Sequence, residues 1–268
     1  MSKKNQKVIL ITGASSGIGK ACFEYLQSKG HVVYGTSRKP SESSGMVQMD
    51  VTDVDSISRA MTQILDEQGR LDVLINNAGI SLVGAVEDTS LAEAKNIMET
   101  NFWGVFNTCQ AVLPPMRKQK TGLIINISSV LGLFAIPYQG FYVASKHAME
   151  GLTESLRMEM KPFGIKACLI EPGDFRTDIN QNRITAKKSM EEGSHKSNFD
   201  SVHQLIIDNE RHGDDPIKIA RLISKVIDQK NLKVRYSVGK FLDTLAGKLK
   251  PFLPQKTFEW LIMNHYKI

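Results

Sequence analysis

The sequence predicts one α/β domain, a doubly wound sandwich around a central parallel sheet of about seven strands. Seven short apolar runs rich in β-branched residues recur along the chain, at residues 7–12, 31–36, 46–50, 71–76, 122–128, 165–170 and 233–238. Stretches with the apolar spacing of amphipathic helices separate most of these runs. Continuous apolar strands that alternate with helices indicate a parallel sheet covered on both faces, with right-handed crossovers between the strands.

Two regions depart from this alternation. Residues 174–213 are polar and poorly periodic, and an irregular segment of that length is typical of a lid or a substrate-binding loop. From Lys240 onward, two short amphipathic stretches flank the sequence Pro-Phe-Leu-Pro, which predicts two short helices. We therefore divide the chain into a main domain at residues 1–239 and a C-terminal tail at residues 240–268.

The basic charge of the chain is concentrated near its C-terminus. Residues 230–268 contain eight Lys or Arg and two acidic residues, which accounts for the whole formal net charge of +6. No nucleic-acid recognition motif accompanies this charge, so we expect no nucleic-acid partner. Three interpretations of the tail stay open: it closes over a pocket, packs on a neighbouring subunit, or lies on an anionic membrane surface.

Neither the cysteines nor the histidines are spaced as metal ligands, so we expect no metal site. Cys22, Cys109 and Cys168 are odd in number and far apart, which also argues against a disulfide framework and favours a reducing cytoplasm. No apolar run approaches the roughly 20 residues that span a bilayer. We therefore expect a cytoplasmic protein, with the tail as its candidate for peripheral membrane contact.

A glycine-rich turn, Thr-Gly-Ala-Ser-Ser-Gly-Ile-Gly at residues 12–19, follows the first predicted strand and opens the first predicted helix. Glycines let the backbone turn tightly and approach a pyrophosphate, while the helix N-terminus favours negative charge. Its place between strand and helix favours a Rossmann-type dinucleotide site over a turn without a ligand. The predicted contacts are Gly13, Ser15, Ser16, Gly17, Ile18 and Gly19.

The end of the second predicted strand indicates which dinucleotide binds. Folds that bind NAD place an Asp or Glu near this position, where it bonds the ribose 2′-hydroxyl. Here Ser37 is followed by Arg38 and Lys39, and a guanidinium can hold a 2′-phosphate in a bidentate fork. We therefore predict NADP(H) as the cofactor. The alternative is that these residues belong to a solvated turn.

Tyr142 and Lys146 lie one turn apart on a predicted helix. A cation about 4 Å from the phenol, at an effective dielectric of about 20, contributes about 4 kcal/mol. That energy is enough to bring a phenol pKa of about 10 close to neutral. The pair can therefore act as a general acid and base, although the same spacing also occurs by chance in many helices.

Further polar residues are predicted at the carboxyl edge of the sheet, where ligands bind in open α/β folds. The hydroxyl of Ser129 can bond a carbonyl oxygen that becomes an alcohol oxygen, whereas its neighbour Ser128 is expected to be structural. Residues 76–79, Asn-Asn-Ala-Gly, follow another strand at the same edge. Asn101 is unfavourable in a helix interior, so it either opens the helix to bind a water or is structural.

Together these residues resemble the short-chain dehydrogenase/reductase family, in its shorter single-domain branch. The resemblance implies that Tyr142 is the acid and base and that Ser129 orients the substrate oxygen. It also implies that Lys146 binds the nicotinamide ribose and lowers the pKa of Tyr142, with Asn101 holding a water behind the lysine. The matching positions are Thr12, Gly13, Gly17, Ile18, Gly19, Asp50, Val51, Asn76, Asn77, Ala78, Gly79, Asn101, Ser129, Tyr142, Lys146, Pro172, Gly173 and Thr177.

The resemblance implies further cofactor contacts on three loops. Asp50 and Val51 are expected to flank the adenine. The adenosine side is expected to contact Asn77, Ala78 and Gly79. The turn that borders the nicotinamide comprises Pro172, Gly173, Phe175 and Thr177. A looser similarity, carried by non-catalytic residues, is to the hydroxysteroid and retinol dehydrogenases.

The reaction so implied is reversible hydride transfer between nicotinamide and a carbonyl or secondary alcohol. The apolar run at residues 131–141 and the aromatic residues of the tail predict an apolar substrate that is steroid-, retinoid- or lipid-like. Those residues are as well explained by core or dimer contacts, and we expect a homodimer or homotetramer. The alternatives are a non-catalytic NADP(H)-binding sensor or scaffold protein, and a reductase of small polar carbonyls.

Overall fold

Seven parallel strands form the central sheet of the computed structural model, which describes residues 6–40, 45–177 and 183–268. Two more short strands pair beside this sheet. The sheet order is β3-β2-β1-β4-β6-β7-β9, so the chain winds outward from β1 in both directions, which confirms the predicted fold class. The strands are β1 Val8–Ile11, β2 Val32–Ser37, β3 Val47–Gln48, β4 Val73–Asn76, β5 Ser81–Val83, β6 Gly122–Ile127, β7 Ile165–Pro172, β8 Arg183–Thr185 and β9 Arg235–Val238.

Helices cover both faces of the sheet and continue into the tail. A five-residue π-helical turn, Glu99–Trp103, joins the third helix to the fourth. The α-helices in the described residues are α1 Gly17–Ser28, α2 Val54–Gln68, α3 Leu91–Met98, α4 Gly104–Gln119, α5 Gly140–Met160, α6 Lys196–Arg211, α7 Ile217–Ile227, α8 Phe241–Leu249 and α9 Gln255–Tyr266.

Alternate side chains of the central strands face two separate cores. In β1, Val8 and Leu10 join the core beneath α2, α4 and α5, whereas Ile9 and Ile11 join the core beneath α1 and α7. Every residue of β4 and β6 is buried, as expected for strands covered on both faces. Burial of each large apolar side chain contributes roughly 1.5–3 kcal/mol. These cores fix the sheet and therefore the loops at its carboxyl edge.

The predicted irregular segment, residues 174–213, contains more structure than its sequence indicates. Helix α6 occupies residues 196–211, and β8 pairs in parallel with β5. The helix was missed because its buried stripe is narrow: Phe199, Val202 and Ile206 are buried among polar neighbours. Residues 178–182 of the segment lie outside the described residues.

The tail contains the two predicted helices, α8 and α9, and packs onto the main domain. Phe258 and Tyr266 of α9 are buried in a third core together with Phe134, Phe199 and Ile206. The rings of Phe258 and Phe134 meet edge to face with centroids 5.6 Å apart. The inner surface of the tail therefore fits the interpretation that the tail closes over a pocket, because it covers the carboxyl edge of the sheet beside α6.

Phe258→Ala tests this packing. The substitution removes a buried aromatic side chain, so it should lower the free energy of unfolding by about 3 kcal/mol in urea denaturation. Phe252→Ala is the matched control, because Phe252 is 84% exposed, and its effect should stay within about 0.5 kcal/mol. Equal stability of the two variants would contradict the packed tail.

Candidate active site

One cavity of about 1370 Å³ runs along the carboxyl edge of the sheet. The ends of β1, β4, β6 and β7 open onto it, because parallel strands place their carboxyl ends at one edge. Every predicted site residue lines this cavity except Gly19 and Asn101. The predicted cofactor and catalytic groups are therefore neighbours in a single crevice.

The glycine turn is held against the end of β4 by hydrogen bonds. The Asn77 side chain donates to the carbonyl oxygens of Thr12 and Gly13 at 3.0 and 2.9 Å, and the Thr12 hydroxyl accepts from the backbone N–H groups of Asn77 and Ala78 at 3.0 and 2.9 Å. A Cβ on Gly19 would lie 2.2 Å from the Gly13 oxygen. Gly19 therefore permits close packing of the helix on the turn, and it is not among the residues that line the cavity. Its contact with a cofactor stays a prediction.

The turn has the features of an anion site. Gly13 and Gly17 have positive φ angles of 65° and 53°, which favour glycine. The N-cap residue Ser16 makes no side-chain capping bond, and the first turn of α1 contains no acidic residue. The N-terminal N–H groups and the helix dipole of α1 are therefore available to a phosphate.

Arg38 and Lys39 lie just past the end of β2 and line the same cavity. Both are exposed, and neither forms an ion pair within the described ranges. Arg59 of α2 also lines this end of the cavity, and the sequence analysis missed it because it is distant along the chain. It lies 3.9 Å from Asp53, an exposed pairing that a phosphate can replace. The three cations together suit an anionic group.

Asp50 and Val51 line the cavity, but the Asp50 carboxylate is used locally. One of its oxygens accepts hydrogen bonds from the Thr52 backbone N–H at 2.9 Å and from the Thr52 hydroxyl at 2.8 Å. These bonds shape the turn that leads into α2. The expected place of Asp50 and Val51 beside the adenine stays a prediction.

Ser129 and Tyr142 meet at the floor of the cavity. A hydrogen bond with Ser129 favours the ionised form of Tyr142 and so acts to lower its pKa. The Ser129 hydroxyl also accepts from the Leu131 backbone N–H at 3.1 Å and has a long contact of 3.4 Å to the Pro172 carbonyl oxygen. The long contact is weak, so the hydroxyl is free to turn towards a substrate oxygen.

The pKa of Tyr142 differs from the value that the sequence predicted. Burial raises the pKa of Tyr142 to about 12, and the carboxylates of Glu210 and Asp174 act in the same direction. Lys146 does not offset them: its Nζ lies 5.7 Å from the Tyr142 ring centroid and donates to the Ile127 carbonyl oxygen at 2.9 Å. Burial also lowers the pKa of Lys146 to about 8. Within the described protein, the phenol is therefore firmly protonated.

Asn101 opens the helix as predicted, but its amide is already bonded to protein. It lies in the π-helical turn and is fully buried. Its side-chain nitrogen donates to the Ile80 oxygen at 2.9 Å and to the Ser145 hydroxyl at 3.1 Å, while its oxygen accepts from the Ile80 N–H at 2.9 Å. Asn101 thus ties Ile80, the residue before β5, to Ser145 of α5, and its role with a water stays a prediction.

The far end of the cavity is apolar. Its walls come from the segment after Ser129, from α6 and from both tail helices. The main apolar lining residues are Leu131, Phe134, Ile136, Ile206, Leu245, Leu249, Leu253, Phe258 and Ile262. Residues from the apolar run 131–141 and from the tail therefore line the cavity with apolar side chains.

Three carboxylates, of Asp174, Glu210 and Asp243, also line the cavity. Burial, followed by the charges of Asp243 and Glu210, raises the pKa of Asp174 to about 6. Burial raises the pKa of Glu210 despite its ion pair with Arg183. The sequence does not reveal this cluster, because its members lie on a loop, on α6 and on α8, and only the fold brings them together.

Known proteins match this chain over most of its length. The profile of the family described as short chain dehydrogenase matches residues 7–188. The chain is 46% identical over 265 residues to the 3-ketodihydrosphingosine reductase of Bacteroides thetaiotaomicron, a match that covers 98% of each protein. It is 30% identical over 273 residues to dehydrogenase/reductase SDR family member 7B of Xenopus tropicalis, covering 95% of this chain and 84% of that protein.

Solved structures give the same result. A short-chain dehydrogenase from Streptomyces avermitilis superposes with a TM-score of 0.79 at 32% identity, covering 94% of this chain and 97% of that one. ElxO with NADP bound superposes with a TM-score of 0.71 at 30% identity, covering 87% and 97%. Among the described residues, no three His, Cys, Asp or Glu side chains are arranged so that they could hold a metal ion, the carboxylates above included. No helix in the same ranges is long and apolar enough to span a membrane.

Tyr142→Phe tests the central group of the site. Loss of the hydroxyl should lower kcat for carbonyl reduction by about 100-fold or more, while the affinity for NADPH, measured by fluorescence titration, stays within about twofold because the ring is retained. Tyr138→Phe is a matched control in the preceding segment and should keep the parental rate. A Tyr142→Phe variant with parental kcat would exclude Tyr142 as the proton donor.

Proposed function

The chain belongs to the short-chain dehydrogenase/reductase family, and from that premise we propose that it reduces a long-chain amino ketone of the 3-ketodihydrosphingosine type. It is an oxidoreductase with NADP(H) as its cofactor. The observation that carries the substrate proposal is the single cavity, in which an apolar channel and three carboxylates lie beside Ser129 and Tyr142.

The cofactor end of the cavity fits NADP(H) by its charge. Arg38, Lys39 and Arg59 line the region next to the glycine turn, where the family places the adenosine half. The fork of a guanidinium suits the extra 2′-phosphate. When bound, the cofactor supplies the hydride, and the protein supplies position and electrostatics.

The proton comes from Tyr142. Its raised pKa keeps the phenol protonated at neutral pH, which is the form that donates a proton to the oxygen of a ketone as it is reduced. Ser129 donates a hydrogen bond to the same oxygen by giving up its long contact with Pro172. Lys146 donates to the Ile127 carbonyl oxygen, and its Nζ lies 5.7 Å from the centre of the Tyr142 ring.

The carboxylates favour a substrate that carries an amine next to its ketone. An ammonium group there is attracted to the negative charges of Asp174 and Glu210. The same positive charge offsets the effect of these carboxylates on Tyr142, whose pKa they raise. A 3-ketodihydrosphingosine combines such an amine with a long alkyl chain, and the alkyl chain suits the apolar end of the cavity.

Two alternatives are less well supported. A sensor or scaffold protein does not need Ser129 hydrogen-bonded to Tyr142 at the floor of a cavity. A reductase of small polar carbonyls does not need an apolar channel lined by α6 and the tail. An apolar ketone without an amine, such as a steroid or retinoid, fits the channel but brings no positive charge to Asp174, whose pKa the neighbouring carboxylates Asp243 and Glu210 raise.

We also propose that the chain forms a homodimer or homotetramer and that its tail contacts a membrane. Exposed apolar side chains on or near the α4–α5 layer, namely Trp103, Met158 and Phe163, offer surface for a second copy. Cytoplasmic localisation is consistent with three free, buried cysteines.

Arg38→Asp tests the choice of cofactor. The variant should lose about 10- to 100-fold in kcat/KM for NADPH, because a charge-assisted hydrogen bond contributes about 1.5–3 kcal/mol, and its activity with NADH should rise relative to NADPH. Lys225→Asp makes a similar change of charge on α7, outside the cavity, and should leave the NADPH/NADH ratio unaltered. An unchanged ratio in the Arg38 variant would remove Arg38 from the cofactor site.

Asp174→Asn tests recognition of the amine. Its kcat/KM for a long-chain amino ketone should fall about 10- to 100-fold, whereas kcat/KM for the same ketone without the amine should change less than about threefold. Asp200→Asn, which removes a carboxylate from the exposed face of α6, should affect neither substrate. Equal losses on both substrates would show that Asp174 acts through structure and not through an ammonium group.

A further inference from the structure

We propose that the outer face of the tail docks on an anionic lipid bilayer, and that the cavity opens at this face so that a long-chain substrate enters it from the bilayer. Docking specifies the membrane contact proposed above, and entry of the substrate from the bilayer rests on the proposed reduction of a long-chain amino ketone. The tail face is defined here by the exposed apolar side chains Phe241, Leu242, Leu249, Phe252, Trp260, Leu261 and Met263.

Exposed apolar surface is concentrated in the tail. Of fifteen large apolar side chains that are exposed in the described ranges, eight lie at residues 241–268. Phe252 is 84% exposed and Trp260 is 62% exposed. A concentration of this kind marks an interaction surface, whereas single exposed apolar residues do not.

Intramolecular packing does not account for this face, because each tail helix already has a separate inner face. In α9, Phe258, Ile262 and Tyr266 follow one helical stripe and pack into the third core. In α8, Gly247 lies against Leu133: a Cβ on this glycine would be 2.8 Å from the leucine side chain. The exposed residues are therefore a second apolar surface, left without a partner in the described protein.

The mouth of the cavity lies on the tail face. Leu242, Leu249 and Leu261 are exposed to solvent and also line the cavity. Their neighbours Leu245 and Phe258 line it further inside. An alkyl chain that enters between the tail helices thus has apolar side chains to contact both at the mouth and further inside.

The charge of the tail selects an anionic surface. Residues 240–268 contain five lysines against two acidic residues. One of the two, Asp243, points inward: its carboxylate accepts from the Asp174 N–H at 3.3 Å and would lie 2.6 Å from a Cβ on Gly173. Lys248, Lys256 and Lys267 are exposed and form no ion pair in the part of the chain described.

This charge also favours lipid over a second copy of the chain. A two-fold contact through the tail face would bring the exposed lysines of both copies together, and like charges at such a contact are unfavourable. An anionic bilayer instead attracts the lysines and accepts the aromatic side chains at its interface.

The experiment is co-sedimentation of the full chain with vesicles. The parent should pellet with phosphatidylglycerol/phosphatidylcholine vesicles and at least about tenfold less with phosphatidylcholine alone. Phe252→Ala combined with Trp260→Ala should lower binding to the anionic vesicles about tenfold. Neither residue lines the cavity. Met158→Ala, an equally exposed position on α5, is the control and should bind as the parent does.

Two results would overturn docking: a parent that does not bind anionic vesicles, or a double variant that binds them as the parent does. A third result that would overturn docking comes from light scattering without vesicles. If the parent is an oligomer that the double variant dissociates, the tail face is a subunit interface and not a lipid surface.

Kinetics separate docking from the proposed function. With a long-chain amino ketone delivered in anionic vesicles, kcat/KM of the double variant should fall about tenfold. With a short-chain, water-soluble amino ketone its kcat/KM should match the parent. If vesicles bind but neither ketone is reduced, the proposed function fails and docking stands. Equal loss on both ketones would overturn entry from the bilayer.

Discussion

The site depends on hydrogen bonds that join the ends of two neighbouring strands. The side-chain amide of Asn77, just after β4, donates to the carbonyl oxygens of Thr12 and Gly13, just after β1. The Thr12 hydroxyl in turn accepts from the backbone N–H groups of Asn77 and Ala78. These bonds fix the glycine turn relative to the loop after β4. Since both strands are buried on both faces, the turn cannot move without disturbing the core. The position of a dinucleotide relative to Ser129 and Tyr142 follows from this frame.

The electrostatics of the site are incomplete without its ligands. Tyr142 is half-buried, and desolvation together with the charges of Glu210 and Asp174 raises its pKa, so its phenol holds its proton tightly. Lys146 is itself desolvated and bonded to the Ile127 oxygen. Arg183 is the one protein cation that acts to lower the pKa of Tyr142 among the described residues, and burial outweighs it. Further positive charge comes with what binds: the oxidised nicotinamide in one direction, or a cationic substrate. An arrangement of this kind restrains the acid until the cavity is filled, which suits reduction, where the phenol must be protonated at the start.

Features that depend on a local sequence pattern could be predicted from the sequence. Features that depend on residues distant along the chain coming together in the fold could not. Apolar runs locate the seven strands, and the glycine turn and the Tyr142–Lys146 spacing are contiguous motifs. Helix α6 was missed because three buried residues among polar ones are a weak signal. The Asp174–Glu210–Asp243 cluster was missed because its members are far apart in the chain. The direction of the Lys146 side chain was also inaccessible, since spacing places two residues on one helix face but does not decide which oxygen an amine will bond.

The inner and outer faces of the tail have different roles for an apolar substrate: the inner face covers the cavity, and the outer face leaves a path of entry. A cavity lined by Phe134, Ile206 and Phe258 would expose apolar surface to water if the tail were absent, so it needs a cover. A cover that packs only inward would also block the entry of a long alkyl chain. In this protein, Leu242, Leu249 and Leu261 belong both to the lining and to the exposed surface, so the cover carries an apolar path from outside to inside. Contact of that surface with lipid would remove its apolar area from water and place the mouth where a lipid-like ketone resides.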